Sequence, residues 1–362
     1  MNKKIAVVHY EFYSSYLNKN LGYFIDSAIN KGHDVDFLTP RDKVRDKVTK
    51  GSFKNIEINA NDIESLELYK YLFRNRKSYD AIWLYPSYSK FYLLVFFCRM
   101  LGINPIIKTD SMNCDYTGMP LYSYLKRVIS WKIVKLFSKV IIVENKKLLN
   151  FFHSNKSMCY GLGLPCKNIK LIKETSKKHH KERVILYIGR IVYEKGLERL
   201  VNIFESALIS SEVSDCYKLK VIGKIDDEEY YSQILNMVEN SDILKGRVIF
   251  ENEKSGEDYY SEIIRSQLVV LPTREEGLPN ILGDCYYCNT LFLTTKGAKA
   301  DHIINNKIFF SDNDNLSLKE SMIEILNNSD NYYNNFDKIY NSDYIIDSDS
   351  FFNEVINKAI RQ

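Results

Sequence analysis

The feature that most constrains this chain is its rhythm. Short, mostly apolar runs recur between longer stretches with helical spacing, and the scheme runs twice. Runs at Ile5–Val8, Val35–Leu38, Ala81–Leu84, Pro105–Lys108 and Val140–Val143 read as strands. Continuous aliphatic runs of that length suit strands covered on both faces. Between them, Leu21–Ile29, Ser65–Phe73, Phe91–Leu101 and Leu121–Phe137 read as helices. Further strands are expected at Val184–Ile188, Leu219–Ile222, Val248–Phe250, Leu268–Leu271, Leu291–Thr294 and Ile308–Phe310. Strands alternating with helices are joined by right-handed crossovers and lie parallel. The prediction is an α/β chain with two Rossmann-like domains in tandem, and 362 residues suffice for two.

The chemistry concentrates in the second half. Glu276-Gly277-Leu278-Pro279-Asn280-Ile281-Leu282-Gly283-Asp284 follows the run Leu268–Leu271 and opens an apolar helical stretch, Ile281 to Cys288. Two carboxylates thus bracket the first turns of a helix at a strand's end. Gly277 lets backbone approach a ligand, and Pro279 suits a first helical turn. Free N–H groups at a helix start attract phosphate, whereas carboxylates seek hydroxyls. The pattern predicts a site holding a phosphate and a polyol together. About 80 residues upstream, Gly189, Arg190, Lys195 and Gly196 follow the strand Val184–Ile188, before a helix through Leu197, Leu200, Val201 and Phe204. Cations there are placed for a diphosphate.

These two elements together resemble the donor site of retaining glycosyltransferases of the GT-B fold, family 4 (glycosyl transferases group 1). Gly189, Arg190, Lys195 and Gly196 match the family's diphosphate grip. Glu276 matches the first of its two acids, and Asp284 stands at the second, one methylene shorter. Cys288, Thr290 and Gly297 fit the family's continuation. The resemblance is strong over 183–300. It implies two Rossmann-like domains with a cleft between them and a last helix crossing back to the first. The expected divisions are 1–168 for the acceptor side, 169–343 for the nucleotide-sugar side and 344–362 for the crossing helix. It implies that Glu276 contacts the transferred sugar and Asp284 the ribose, while Gly277, Leu278, Pro279 and Asn280 line the sugar and phosphates. Arg190 and Lys195 would neutralise the leaving diphosphate, in place of a metal. Asp110, at the exit of Pro105–Lys108, is the candidate from the first domain for touching donor sugar or acceptor; a loop-capping role fits it equally. Glu276 alone would also suit a helix start through the dipole.

The implied activity is transfer of a hexose or N-acetylhexosamine from a nucleotide-diphosphate sugar to a glycan or lipid-linked glycan hydroxyl. A bacterial surface polysaccharide such as capsule or O-antigen is the expected context. UDP-sugars stand ahead of GDP-sugars as donor, and no cofactor is called for. A nucleotide-sugar epimerase of related fold, or a non-catalytic sugar-nucleotide-binding protein, stays open. The absence of paired glycines after the first strand, where His9-Tyr10-Glu11 stands, and the shorter Asp284 favour the last.

Composition narrows the field. Fifty basic against 46 acidic residues leave a charge of +4, which argues against a nucleic-acid partner. Ile5–Val8 is too short for a secretion signal, and Phe91–Cys98 is too short to span a bilayer. Seven cysteines fit reduced thiols in the cytoplasm. Cys285 and Cys288 read as packing residues rather than zinc ligands, since no second pair is suitably spaced. Three Asp-x-Asp sequences, at 34–36, 312–314 and 347–349, fall outside any nucleotide-metal context. Basic and aromatic residues of 121–139, among them Lys126, Arg127, Lys132, Tyr122 and Trp131, suggest peripheral contact with the inner membrane surface or an ordinary surface helix. Lys132 and Lys135 are expected near its apolar side. A linker is expected near Pro165 to Glu182, with Lys177 to Lys181 as a solvated loop or a phosphate or lipid contact.

Overall fold

Two all-parallel sheets organise the chain. The structure is a computed structural model describing residues 2–13, 20–44, 53–59, 65–85, 90–109, 119–160 and 162–360. It divides into one unit of residues 1–161 with 346–362 and another of residues 162–345.

The first unit holds seven strands: β1 (Lys4–Val8), β2 (Asp34–Pro40), β3 (Phe53–Ile58), β4 (Ala81–Leu84), β5 (Asn104–Lys108), β6 (Val140–Val143) and β7 (Ser157–Cys159). Their order is β3-β2-β1-β4-β5-β6-β7. The central strands are apolar throughout because helices cover both faces; Ile5 to Val8 and Ala81 to Leu84 are at most 1% exposed. Fully buried Trp83 packs against Phe24 at 4.2 Å and Phe352 at 6.1 Å between ring centroids. Phe352 belongs to the helix Ser348–Ile360, which returns to this unit and lies along the helix Asn20–Asn30. Lys31 Nζ donates to Asn357 Oδ1 across that seam at 3.1 Å.

The second unit holds β8 (Glu182–Ile188), β9 (Lys218–Ile222), β10 (Val248–Glu251), β11 (Ser266–Leu271), β12 (Leu291–Thr295) and β13 (Phe310–Ser311). Their order, β10-β9-β8-β11-β12-β13, is that of a doubly wound dinucleotide fold.

Several expectations are corrected. β3 and β7 escape the sequence reading because edge strands need few apolar side chains: in β3 only Phe53 and Ile58 are buried. The strand expected at Ile308–Phe310 is instead a 3₁₀ turn, Lys307–Phe309, followed by β13. The stretch expected as linker carries the helix Cys166–Ser176 and lies inside the second unit. Lys181 is no solvated loop residue. Its ammonium donates to Ser266 O (3.0 Å) and Thr290 Oγ1 (2.7 Å), and burial pushes its pKa down to about 8.

In the helix Leu121–Phe137, Ser130, Trp131 and Val134 are buried, while Lys132 and Lys135 face solvent, contrary to expectation. Leu121, Tyr122, Leu125 and Ile129 are exposed as well. Among the described residues no helix is long and apolar enough to cross a membrane.

Both tryptophans, Trp83 and Trp131, belong to the first unit, so selectively excited tryptophan fluorescence reports on that unit. Phe352→Ala removes a wholly buried ring and is expected to destabilise that unit by about 3–5 kcal/mol. The fluorescence midpoint in urea should fall accordingly; an unchanged midpoint would mean that the last helix adds nothing to the core.

Candidate active site

β8 and β11 are neighbours, whereas β9, next in sequence after β8, lies on β8's other side. The winding reverses there, and a doubly wound sheet opens a crevice beyond its strand ends at that point. Both sequence motifs emerge there. Gly189 and Arg190 leave β8 and lead to the turn Tyr193–Lys195; β11 leads through Glu276 to the helix Asn280–Tyr287.

The two exits are fastened together. Glu194 O accepts hydrogen bonds from the Arg274 amide (2.8 Å) and from Thr273 Oγ1 (3.0 Å). The Arg274 guanidinium donates to Tyr193 O at 2.6 Å, pairs with Glu198 and lies 3.9 Å over the Tyr193 ring. Arg199, only 5% exposed, donates to Pro272 O (3.0 Å), Asn313 Oδ1 (2.8 Å) and Asn315 Oδ1 (2.9 Å). Gly196 has φ +69°, and a Cβ there would lie 2.3 Å from Pro272 O. On the other flank the Glu276 amide donates to Gly297 O at 2.8 Å. A Cβ on Gly297 would fall 2.4 Å from Arg274 O. The small residue after β12 is therefore required by close backbone approach.

This fastening brings Lys195 and Glu276 together. Lys195 Nζ forms an ion pair with Glu276 Oε1, the side chains being 13% and 22% exposed. Glu276 Oε2 is buried and has no hydrogen-bond partner. An unsatisfied buried carboxylate oxygen is costly, and a hydroxyl delivered by a ligand would relieve it. Arg190 stands apart. Its side chain, 63% exposed, meets Asp226 Oδ2 at 3.3 Å, and Lys224 holds the same carboxylate at 2.8 Å. Gly189 is tied to Ile222 O at 3.0 Å. Leu278 is buried, Gly277 lies in the loop before it, and Pro279 immediately precedes the helix that Asn280 opens. Glu275 reaches into solvent, with Lys299 Nζ 3.7 Å from its carboxylate.

Asp284 sits on the second turn of that helix, 8% exposed, and its Oδ2 accepts the Tyr259 hydroxyl at 2.8 Å. Burial pushes its carboxyl up to about 7, and the Tyr259 hydrogen bond pulls it part of the way back. Asp110 lies outside the described residues. The Asp-x-Asp sequences are occupied structurally. Asp36 takes Lys4 (2.7 Å) and Tyr79 (2.7 Å), Asp314 caps the helix Asn315–Asn327, and Asp347 Oδ1 accepts the Ser350 amide. Cys285 and Cys288 are buried, and burial holds both thiols well above the ordinary range.

Sequence reasoning missed Arg199, Arg274, Asn313 and Tyr259. Arg199 carried a signal: it is a charged residue on a helix whose neighbours Leu197, Leu200 and Val201 are all buried. The others are ordinary loop or surface residues until the fold supplies their partners.

Residues 168–341 match the family model described as Glycosyl transferases group 1. Among solved structures, HepE of Anabaena in complex with UDP superposes with a TM-score of 0.71 at 11% identity, covering 98% of each chain. A glycosyltransferase from Rickettsia africae gives 0.70 at 13% identity, covering 100% of this chain and 99% of that one. WaaG, a glycosyltransferase involved in lipopolysaccharide biosynthesis, gives 0.63 at 12% identity, covering 99% and 100%. At such identities the likeness is one of fold, and the fold is GT-B. The stretch matched by the glycosyl transferases group 1 model lies within the second unit. The amylovoran biosynthesis glycosyltransferase AmsD of Erwinia amylovora is 22% identical over 189 residues. That match spans about half of each protein, 49% of this chain and 48% of the relative.

The raised Asp284 carboxyl has a consequence for stability. Its folded pKa of about 7 exceeds the ordinary aspartate value of 3.8, so between those values the folded state binds the extra proton. Stability contributed by this group therefore falls as pH rises from about 4 to about 7, by roughly 4 kcal/mol at most. Asp284→Asn removes that loss. The variant is expected to melt above the parent at pH 8 and close to it at pH 4; equal melting at pH 8 would show that the buried charge costs nothing.

Proposed function

We propose that this protein is a retaining glycosyltransferase that moves a hexose or N-acetylhexosamine from a nucleotide-diphosphate sugar, UDP-linked in the first instance, to a glycan hydroxyl. The observation that carries the reading is the unpartnered Glu276 Oε2 beside the Lys195 ammonium at the switch point of the second sheet. A cation for the diphosphate and an acceptor for a sugar hydroxyl are thus adjacent. Lys195, with Arg190 swung from Asp226, would stabilise the charge that develops on the diphosphate as the anomeric C–O bond breaks. The acceptor oxygen bonds to the anomeric carbon on the departing face, and its proton passes to a donor phosphate oxygen. Glu276 orients the sugar, the backbone of Gly277, Leu278 and Asn280 lines it, and Asp284 takes the ribose. Asp110 is proposed as the contact from the first domain.

The names of these similar proteins support a role in polysaccharide assembly: one is an amylovoran biosynthesis glycosyltransferase, another is involved in lipopolysaccharide biosynthesis. HepE is described in complex with UDP, which favours that nucleotide. A lipid-linked acceptor would bring the enzyme to the inner membrane face. The exposed Leu121, Tyr122, Leu125 and Ile129 beside Lys126 and Lys132 support that part of the proposal.

The test is a donor panel of UDP-glucose, UDP-galactose, UDP-N-acetylglucosamine and GDP-mannose, read by calorimetry and by donor hydrolysis or transfer. Lys195→Ala should weaken nucleoside diphosphate binding roughly 30-fold. Glu276→Ala should cut turnover by about 100-fold while sparing binding of the diphosphate without sugar. The anomeric configuration of the product, read by NMR, should be retained, and EDTA should leave the rate unchanged. Binding without hydrolysis or transfer to any acceptor would instead identify a sugar-nucleotide-binding protein.

A further inference from the structure

The Asp284 carboxylate is short for a task at the far end of a nucleotide, and the structure surrounds it with something the sequence pattern did not foretell. Tyr259, in the first turn of the helix Gly256–Arg265, donates its hydroxyl to Asp284 Oδ2 at 2.8 Å. The neighbouring tyrosine serves elsewhere. Tyr260 accepts a hydrogen bond from Asn168 Nδ2 at 2.9 Å and stands nearly edge-on to Tyr259, the centroids 5.2 Å apart.

We propose that Tyr259 is a positioning residue for ribose recognition, holding Asp284 so that its carboxylate meets the ribose hydroxyls of the donor. The inference rests on the donor-site reading above. Asp284 lies four residues beyond Asn280, hence about 6 Å further along the helix axis than the first turn. A nucleoside diphosphate with its phosphates over the helix start carries its ribose hydroxyls in that direction. A carboxylate has about four acceptor positions, so the Tyr259 hydroxyl occupies one and leaves others for a ligand. Two free torsions would otherwise let a short aspartate wander. The hydroxyl also favours the ionised, hydrogen-bond-accepting form of a carboxyl that burial opposes. Of the titratable groups packed nearby, Cys285 and Cys288 are held neutral by burial, and Lys181, which acts on both thiols, is engaged by Ser266 and Thr290.

The experiment measures affinities of wild type, Tyr259→Phe and Asp284→Asn. The ligands are UDP (then GDP and ADP), the matching 2′,3′-dideoxynucleoside diphosphate, and inorganic pyrophosphate. Wild type is expected to prefer the ribose compound by about tenfold or more. Asp284→Asn should erase most of that preference. Tyr259→Phe should cut it at least about threefold, leave pyrophosphate binding unchanged, and move the pH midpoint of UDP binding upward. Undiminished ribose preference in Tyr259→Phe, or a parallel loss of pyrophosphate affinity, overturns the proposal. Wild type that binds nucleoside diphosphates with no preference for ribose overturns it alone. Wild type that binds none of them removes the donor-site reading as well. Thermal melting of Tyr259→Phe separates a local effect from loss of the fold.

Discussion

The second unit depends on one constraint, the fastening of the β8 exit to the β11 exit. The amide and guanidinium of Arg274, the hydroxyl of Thr273 and the buried guanidinium of Arg199 all spend their hydrogen bonds on this seam. Their acceptors include the backbone carbonyls of Tyr193, Glu194 and Pro272, which loops leave unsatisfied and burial makes costly, beside the side chains of Glu198, Asn313 and Asn315. Gly196 and Gly297 permit the approach from either side. Without the seam, Lys195 and Glu276, 81 residues apart in sequence, would have no reason to meet.

What meets there is held at some cost. Glu276 keeps one oxygen without a partner, and Asp284 is a carboxyl in surroundings that disfavour its charge. A domain selected for stability alone would replace both with groups satisfied by the protein. Both sit inside an otherwise well-packed sheet end, where a polyol's hydroxyls would complete them. Arg190, exposed and resting on Asp226, contrasts with Lys195, which is largely buried against Glu276.

Much of the architecture was legible in the residues. Strands covered on both faces must be apolar throughout, so β1, β4, β6, β8, β11 and β12 announce themselves, and alternation with helices forces parallel crossovers. Edge strands carry no such obligation, and β3 and β7 were invisible for that reason. The helix Cys166–Ser176 was mistaken for a linker because its polar composition buries only Ile172 and Thr175. Lys181 looked like part of a solvated basic run until the fold closed over it.

For the site, the sequence by itself determined which groups are present and which strand ends they leave from: Gly189, Arg190 and Lys195 after one strand, Glu276 to Asp284 after another. Local pattern suffices for that, because glycine, proline and charge at strand exits answer to backbone geometry over a few residues. Only the tertiary structure decided that Lys195 pairs with Glu276 while Arg190 turns to Asp226, and that Asp284 rests on Tyr259. Those choices depend on strand order and on burial, which are set by contacts between segments 25 to 81 residues apart and leave no local signature.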